Sequence, residues 1–380
     1  MKPRVLWSVV LVFVLAEALI ASPPLFQRKS FTDSSASGNK SAGPSKDAPA
    51  AKDAKETGSG VSAATTADDT DTSTVWWPAY SYHDVWMPDL TYRSLKSNGV
   101  DLYCEIEGHG REMAIVVQGS PGIPHDYLHP MLSTLSHYMR VVYFDRRFDG
   151  LPKGLPARSM SLKTMADDIE AVRQALGGES VTLIAHGFGG PVAINYTLRH
   201  PDAVKRLILA NTSAEIENYK EIETRLTASL SPKELDAFNN LSDERARYQM
   251  LLPHCFKKAP DGQTLDHIGY SLYFDSLSRR YFFAHESGQF SFRGELRDLK
   301  TPTLVIAGRY DLVSPVSQSQ QLAKSLSDSR LVVLEHSGHY PQIEENYMFI
   351  QQIRQFIAQT TRGLDAVSVR TGIVNTDTAR

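Results

Sequence analysis

The stretch IAHGFGGPVA, residues 184–193, holds the end of an apolar strand, a glycine-rich turn and the start of a helix. The preceding residues, VTLIAH, are a β-prone run, and the residues after Gly190 are small or apolar and can continue as a helix. Gly187 lies where the chain must turn from strand to helix. A sharp turn of this kind projects its central residue over the end of the sheet, and here that residue has no side chain.

Strands and helices alternate on both sides of this stretch. The strand runs are MAIVVQG, RVVYFD, VTLIAH, RLILAN, TPTLVIAG and RLVVLEH. None alternates cleanly between apolar and polar residues, which is typical of strands covered on both faces. Two helical stripes of apolar residues are Leu162, Met165, Ile169, Val172 and Leu176, and Ile343, Phe349, Ile350, Ile353 and Phe356. The alternation predicts an α/β fold with a mostly parallel central sheet and helices on both faces.

Local signals predict where several elements begin or turn. Asn98-Gly99 lies between two β-prone runs and predicts an antiparallel hairpin. Ser161 is placed to cap the helix that follows it. Ser231-Pro232-Lys233-Glu234 combines a capping box with a proline at the first helical position.

The segment 213–298 breaks the alternation, because it has helix signals and no convincing parallel strand. A loop of that length without structure is uncommon in a compact domain. We therefore predict a helical cap over 213–298, inserted into an α/β core formed by residues 76–212 and 299–362.

The two ends of the chain have a different composition. Residues 1–21 carry a short basic start, an apolar run and small residues, which predicts a signal peptide or, alternatively, a signal anchor that holds residues 5–21 in a membrane. Residues 22–75 are rich in Ser, Ala and Thr and predict a disordered linker. Residues 363–380 predict a flexible tail. The expected location is outside the cell or in the secretory lumen or periplasm, or else on a membrane.

Charge and cysteine content exclude some classes of function. The net charge of −3 on 380 residues offers no basic stripe, so no nucleic-acid partner is expected. Cys104 and Cys255 either pair as a disulfide or remain buried thiols. No metal site is predicted, since the cysteines are far apart and no histidine pair is expected on one helical face. No cofactor is predicted either, and the sequence leaves the oligomeric state open.

Candidate site residues follow three of the predicted strands. Gly187 and Phe188 follow VTLIAH, Asp311 follows TLVIAG, and His339 follows LVVLEH. In open α/β sheets, ligand sites lie at the carboxyl ends of the strands. His336 competes with His339, but the Gly-His-x-Pro setting favours His339.

These motifs together resemble the α/β-hydrolase superfamily, in its branch of proline iminopeptidases and epoxide-hydrolase-like proteins with a helical cap. QGSPGIPHDYL is similar to the oxyanion loop of that branch, FDRRFDG to its Asp-x-Arg-Gly-x-Gly motif, GRYDLVSP to its acid motif and SGHYP to its base motif. The resemblance covers about residues 91–360. It implies a nucleophilic serine at the position that Gly187 occupies.

The resemblance also implies roles for the other residues. Asp311 would orient the imidazole of His339. Backbone N–H groups of Phe188 and of the Gly119-Ser120 turn would face a developing oxyanion.

The remaining polar residues near these motifs are given other roles. Arg147 is interpreted as a buried structural ion-pair partner. We expect His125, His129 and His137 to be polar surface or pocket lining.

The cap departs from the proline iminopeptidase pattern. SLSRRYFFAHE has Arg279 and Arg280 where acidic residues would bind a substrate amine. One hypothesis is that these arginines face an anionic or strongly polar ligand. The alternative is that both are solvated.

Two functions remain open on these residues. The first is a hydrolase without the usual serine nucleophile, or an enzyme that uses His339 and Asp311 as a base, acting on a small-molecule or peptide-like substrate. Ser120 is a candidate replacement nucleophile. The second is an inactive pseudo-hydrolase that binds a ligand in the pocket between core and cap.

Overall fold

The computed structural model describes residues 90–119, 123–147, 159–215, 219–270, 276–285, 291–362 and 373–375. The predicted targeting segment 1–21, the predicted linker 22–75 and residues 76–89 lie outside this part. Within it, no helix is both long and apolar enough to cross a bilayer.

Strands and helices alternate as the sequence predicts. The strands are β1 (Thr91–Ser97), β2 (Val100–Glu107), β3 (Met113–Val117), β4 (Arg140–Phe144), β5 (Val181–His186), β6 (Val204–Ala210), β7 (Thr303–Gly308), β8 (Ser329–Leu334) and β9 (Ile373–Asn375). The helices are α1 (His129–Leu132), α2 (Leu162–Ala175), α3 (Gly189–Arg199), α4 (Tyr219–Thr227), α5 (Pro232–Asn240), α6 (Glu244–Leu251), α7 (Gly262–Tyr270), α8 (Ser276–His285), α9 (Val316–Ser325), α10 (Pro341–Glu344) and α11 (Asn346–Arg362).

The strands form one sheet in the order β1-β2-β4-β3-β5-β6-β7-β8-β9. The pairs β1/β2 and β2/β4 are antiparallel, and every other described pair is parallel. The predicted α/β fold class is confirmed. The strand order reverses between β3 and β5, and such a reversal opens a crevice at the carboxyl ends of the strands.

The sheet is buried on both faces. Leu183 of β5 packs in a hydrophobic cluster with α2 and α3, and its neighbour Ile184 packs in a second cluster with α11. Successive side chains of a strand point to opposite faces, so β5 contributes to both clusters. The absence of clean alternation in this strand follows from that position.

Several predicted boundaries are confirmed. Asn98 and Gly99 have φ of 45° and 79° and join β1 to β2 as a tight hairpin. Ser161 and Ser231 each cap a helix through a capping box. The last apolar stripe is divided, because Ile343 lies in the short α10 and the other four residues lie in α11.

The segment between β6 and β7 carries five helices, α4 to α8. Apolar side chains of α4 to α7 pack on the α11 side of the core; Leu226, Phe238, Leu251 and Ile268 belong to the same cluster as Ile353. Phe282 of α8 instead belongs to the cluster with α2 and α3. This helical cap lies against the carboxyl ends of the strands.

The structure bears on two further predictions, the flexible tail over 363–380 and the state of the two cysteines. A flexible tail over 363–380 is wrong for Ile373–Asn375, which form β9 and pair in parallel with β8. The β-prone Ile and Val cover a sheet edge that would otherwise be unpaired. Cys104 and Cys255 are both buried free thiols, so the alternative of a disulfide does not hold.

Candidate active site

The turn after β5 has the geometry that projects one residue over the sheet. Gly187 adopts φ of 52°, and its N–H donates to the carbonyl of Ala210 at 2.9 Å. Helix α3 begins two residues later, at Gly189. A Cβ at Gly189 would collide with the carbonyl of Val117, and one at Gly190 with Thr212, so both glycines permit close packing of α3 on the sheet.

His339 faces this turn. A Cβ built on Gly187 would lie 3.3 Å from Nε2 of His339. Nδ1 of the same imidazole lies 2.9 Å from Oδ2 of Asp311. The carboxylate can only accept, so Nδ1 carries the proton and the lone pair of Nε2 points towards position 187.

Asp311 is fixed by three further donors. Its Oδ1 accepts from the backbone N–H groups of Val313 and Ser314 at 2.7 and 2.9 Å, and its Oδ2 accepts from Nδ2 of Asn211 at 2.7 Å. Asn211 also donates to the carbonyl of Gly338 at 2.9 Å. Asn211 has φ of 49° at the end of β6, and sequence reasoning missed it. Its position after a buried strand, next to the other strand ends, is the signal that would have found it.

A hydrogen-bonded chain runs beside this pair. Nε2 of His186 donates to the carbonyl of His339 at 2.8 Å, so Nδ1 accepts from the hydroxyl of Tyr127 at 2.8 Å. That hydroxyl in turn accepts from the N–H of Gly119 at 2.8 Å. Burial, together with the neighbouring His339, lowers the pKa of His186 to about 3, which keeps this imidazole neutral.

The proposed oxyanion turn is therefore held from two sides. The N–H of Gly119 is bound by Tyr127, and its carbonyl accepts from the buried Arg146 at 2.6 Å. The guanidinium of Arg146 also lies 5.5 Å from the ring centre of Phe188. Ser120 lies outside the described residues. The sequence predicted a role for Arg147, but the role of its neighbour Arg146 was not predicted.

The loop that carries His339 is tied to the cap. The N–H of His339 donates to the carbonyl of Cys255 at 2.6 Å. The carboxylate of Glu344 accepts from the backbone N–H groups of Gly338, Lys257 and Lys258 at 2.6, 2.8 and 3.1 Å. Burial nevertheless raises the pKa of Glu344 to about 7.

A cavity of about 120 Å³ opens beside Gly187 and His339. Most of its wall is apolar and comes from both core and cap, including Ile123, Leu226, Leu251, Phe283 and Val313. Its polar groups include the two imidazoles of the site, the hydroxyls of Tyr127 and Tyr248, and the carboxylate of Glu215. Glu215 is neutralised by Arg293 at 2.7 Å. The cavity therefore suits a small ligand with an apolar body.

His336 and Arg147 do not line the cavity. His336 is exposed, with Nδ1 2.9 Å from Nζ of Lys257. Arg147 forms a buried bidentate ion pair with Asp168, in agreement with its interpretation as a structural residue. Arg279 and Arg280 lie in α8, but their side chains are outside the described part of the chain.

The expectation for two of the three histidines after β3 is wrong. His125 and His129 are fully buried and do not line the cavity, whereas His137 is exposed. They are buried because Glu105 and other carboxylates compensate the imidazoles. No histidine pair was expected on one helical face. His125 and His129 are four residues apart and lie in two successive short helices, and both contact Glu105.

Comparison with known proteins agrees with the fold. The chain is 25% identical over 295 residues to a proline iminopeptidase of Saccharolobus solfataricus, covering 69% of this chain and 90% of the relative. It is 26% identical over 258 residues to a putative carbamate hydrolase RutD of Agrobacterium fabrum, covering 66% and 97%. The crystal structure of a proline iminopeptidase of Mycobacterium smegmatis superposes with a TM-score of 0.61 at 21% identity, covering 72% of this chain and all of that one. The family model described as alpha/beta hydrolase fold matches residues 115–346, more than half of the chain, and the protein therefore belongs to the α/β-hydrolase fold family.

Proposed function

We propose that this protein is an enzyme of hydrolase fold that uses His339, oriented by Asp311, as a general base on a small ligand with an apolar body. The observation that carries the proposal is the lone pair of His339 Nε2, which faces Gly187 at the wall of the cavity. A base held in one tautomer by a buried carboxylate is suited to accept a proton from water or from a bound substrate.

The missing side chain at position 187 restricts the chemistry. Removal of the serine from a catalytic triad costs roughly 10⁶ in turnover, so a covalent acyl-enzyme formed at position 187 is not proposed. Attack by a water molecule that His339 deprotonates, or proton abstraction from the substrate, needs no hydroxyl at this position. Both reactions remain compatible with a donor at the oxyanion turn.

A second candidate function is ligand binding without turnover. The observation that favours it is the hydrogen bond between Gly119 N–H and Tyr127, since this donor is already engaged and does not point free into the cavity. An apolar cavity with a few polar groups binds small molecules whether or not it transforms them.

The test is turnover by the purified protein on activated esters, amino-acid arylamides and aryl carbamates. Amides and carbamates are included because of the names of the two relatives. The comparison is between the native chain, His339→Ala and His336→Ala. His336 is the matched control, because it lies on the same loop but is exposed outside the cavity.

We expect turnover that is lost in His339→Ala and kept in His336→Ala. Equal background rates in all three proteins would contradict the hydrolytic form of the proposal. In that case, compounds of the panel that raise the melting temperature of the native chain without being consumed would support the ligand-binding function.

A further inference from the structure

A cluster of titratable side chains lies apart from the cavity, where β2 meets the segment after β3. Oε2 of Glu105 lies 2.6 Å from Nδ1 of His129 and 3.2 Å from Nε2 of His125. One ligand atom from each of these three residues falls within 4.8 Å of the others, and all three side chains are buried. None of them lines the cavity beside Gly187.

Each imidazole points one nitrogen at Glu105 and the other at a second carboxylate. Nδ1 of His125 lies 2.8 Å from Oδ1 of Asp145, and Nε2 of His129 lies 3.3 Å from Oε2 of Glu107. Histidines that bind metals in proteins are arranged in this way: the outer nitrogen donates to a carboxylate, which fixes the ring and strengthens the inner nitrogen as a ligand.

Some buried atoms of the cluster lack hydrogen bonds within the described chain. They include Nε2 of His125, which faces Glu105, and Oε2 of Glu107. Both side chains are more than nine-tenths buried. Buried polar atoms are normally satisfied, so an unsatisfied inner nitrogen indicates a missing partner.

The charges of the cluster are also suited to a cation. Glu105, Glu107 and Asp145 are three buried carboxylates, and in the described part of the chain they form their ion pairs with the two imidazoles. A divalent ion supplies the same positive charge as two protons on the imidazoles. The metal-bound and doubly protonated states therefore have the same net charge, and each satisfies the carboxylates.

We propose that Glu105, His125 and His129 bind a divalent transition-metal ion of the Zn²⁺ class at this position. Two imidazole nitrogens and one carboxylate oxygen form a donor set that Zn²⁺ and Co²⁺ accept, whereas Mg²⁺ and Ca²⁺ prefer six or more oxygens. Ligands of a tetrahedral ion with bonds of about 2.0 Å lie about 3.3 Å apart. Oε2 of Glu105 and Nε2 of His125 are already 3.2 Å apart, whereas Nδ1 of His129, at 2.6 Å from the same oxygen, must move outward to admit the ion.

The site has a structural consequence for the cavity. His125 and His129 flank Tyr127, whose hydroxyl binds Gly119 N–H. An ion held between β2 and this segment would fix Tyr127, and with it the turn beside Gly187. The metal site is independent of the proposed function, because it does not require His339 to act as a base.

The test uses the full chain after treatment with a chelator. Zn²⁺ is titrated calorimetrically into the native chain and into His129→Ala, Glu107→Gln and His137→Ala. His137 is the matched control, since it is an exposed histidine of the same segment. We expect one Zn²⁺ per chain, no change in His137→Ala, about 10- to 100-fold weaker binding in Glu107→Gln and a larger loss in His129→Ala.

Uptake of Co²⁺ by the native chain gives a readout that does not depend on the folding of any variant. A tetrahedral nitrogen and oxygen site gives visible absorption without the intense thiolate band that a cysteine ligand would add. A native chain that takes up neither ion would overturn the proposal and leave the cluster as a closed ion-pair network. Equal Zn²⁺ affinity in a folded His129→Ala would overturn it as well.

Discussion

Gly187 adopts a left-handed backbone conformation. A φ of 52° is strained for residues with a Cβ, by about 1–3 kcal/mol, and glycine avoids this cost. The hydrogen bond to Ala210 and the close packing of Gly189 and Gly190 hold the turn in this shape. The turn is therefore already formed for a residue with a functional group at this position.

Gly187→Ser is expected to hydrolyse activated esters faster than the native chain. The Cβ would lie 3.3 Å from His339 Nε2, which brings a hydroxyl within reach of the base. We expect an increase of about 10²-fold or more in turnover of an aryl ester, and a loss of about 1–3 kcal/mol of stability from the strained φ. A burst of product in stopped-flow measurements would report the acyl-enzyme.

Gly187→Ala distinguishes the effect of the serine hydroxyl on turnover from the effect of backbone strain on stability. It carries the same Cβ and the same φ, so we expect the same loss of stability without the gain in turnover. Equal ester turnover in the serine and alanine variants would show that His339 does not activate a group at this position.

Tyr127→Phe is expected to destabilise the protein by about 1–3 kcal/mol, because it leaves Nδ1 of His186 and the N–H of Gly119 without a partner in a buried region. Tyr138→Phe is the matched control, since Tyr138 is 56% exposed, and it should change stability by no more than about 0.5 kcal/mol. Denaturant unfolding of both variants measures the difference. Equal midpoints would argue against the hydrogen-bonded chain.

At the scale of elements, α2 is tied to the sheet by one buried ion pair. Asp168 of α2 accepts from Nε and Nη2 of Arg147 at 2.9 and 2.5 Å, and from the hydroxyl of Ser97 of β1 at 2.6 Å. Arg147→Ala leaves this carboxylate buried and without its cation. We expect a loss of about 3–5 kcal/mol in the free energy of unfolding, measured with denaturant.

The neighbouring residue on α2 provides the comparison. Asp167 pairs with Lys163, which is mostly exposed, so Lys163→Ala should cost no more than about 1 kcal/mol. A small effect of both substitutions would mean that the buried pair contributes no more than a surface pair.

The sequence predicts elements well where the signal is local. The hairpin at Asn98-Gly99 and the helix starts at Ser161 and Ser231 depend on residues within one turn, and all three are confirmed. β9 escaped prediction because its three residues gain stability only from pairing with β8.

The same distinction applies to the site. Strand ends place Gly187, Asp311 and His339 close together, since the carboxyl ends of parallel strands meet at one edge. Tyr127 and His186 are 59 residues apart in sequence. Their hydrogen bond depends on the three-dimensional position of the tyrosine side chain relative to β5, which a local sequence pattern does not predict. The burial of His125 and His129 depends on Glu105 of β2. No pattern in the sequence relates Glu105 to the two histidines.

At the scale of the whole molecule, the cap and the loop of His339 meet at Glu344. Its pKa is raised to about 7, above the usual value near 4.5, because burial disfavours the charged form. The folded state therefore binds more protons than the unfolded state between these values. The stability contributed by this group is present below about pH 4.5 and is lost as the pH rises through about 7.

Glu344→Gln should flatten this dependence. We expect its free energy of unfolding to change less between pH 4.5 and 7 than that of the native chain, as measured by denaturant unfolding at several pH values. Glu295→Gln removes an exposed carboxylate and should retain the native slope. A native slope in Glu344→Gln would assign the dependence to another group.

Gly338 shows how closely the two parts of the molecule are joined. A Cβ at this position would collide with the carbonyl of Cys255 and the backbone of Phe256 and Lys257. Two backbone segments of the chain are therefore in direct contact where the cap meets the loop of His339. The next residue, His339, donates its N–H to that same carbonyl. A ligand that displaces this part of the cap must therefore also displace the imidazole. The position of this part of the cap and the orientation of the catalytic base are therefore coupled through the backbone.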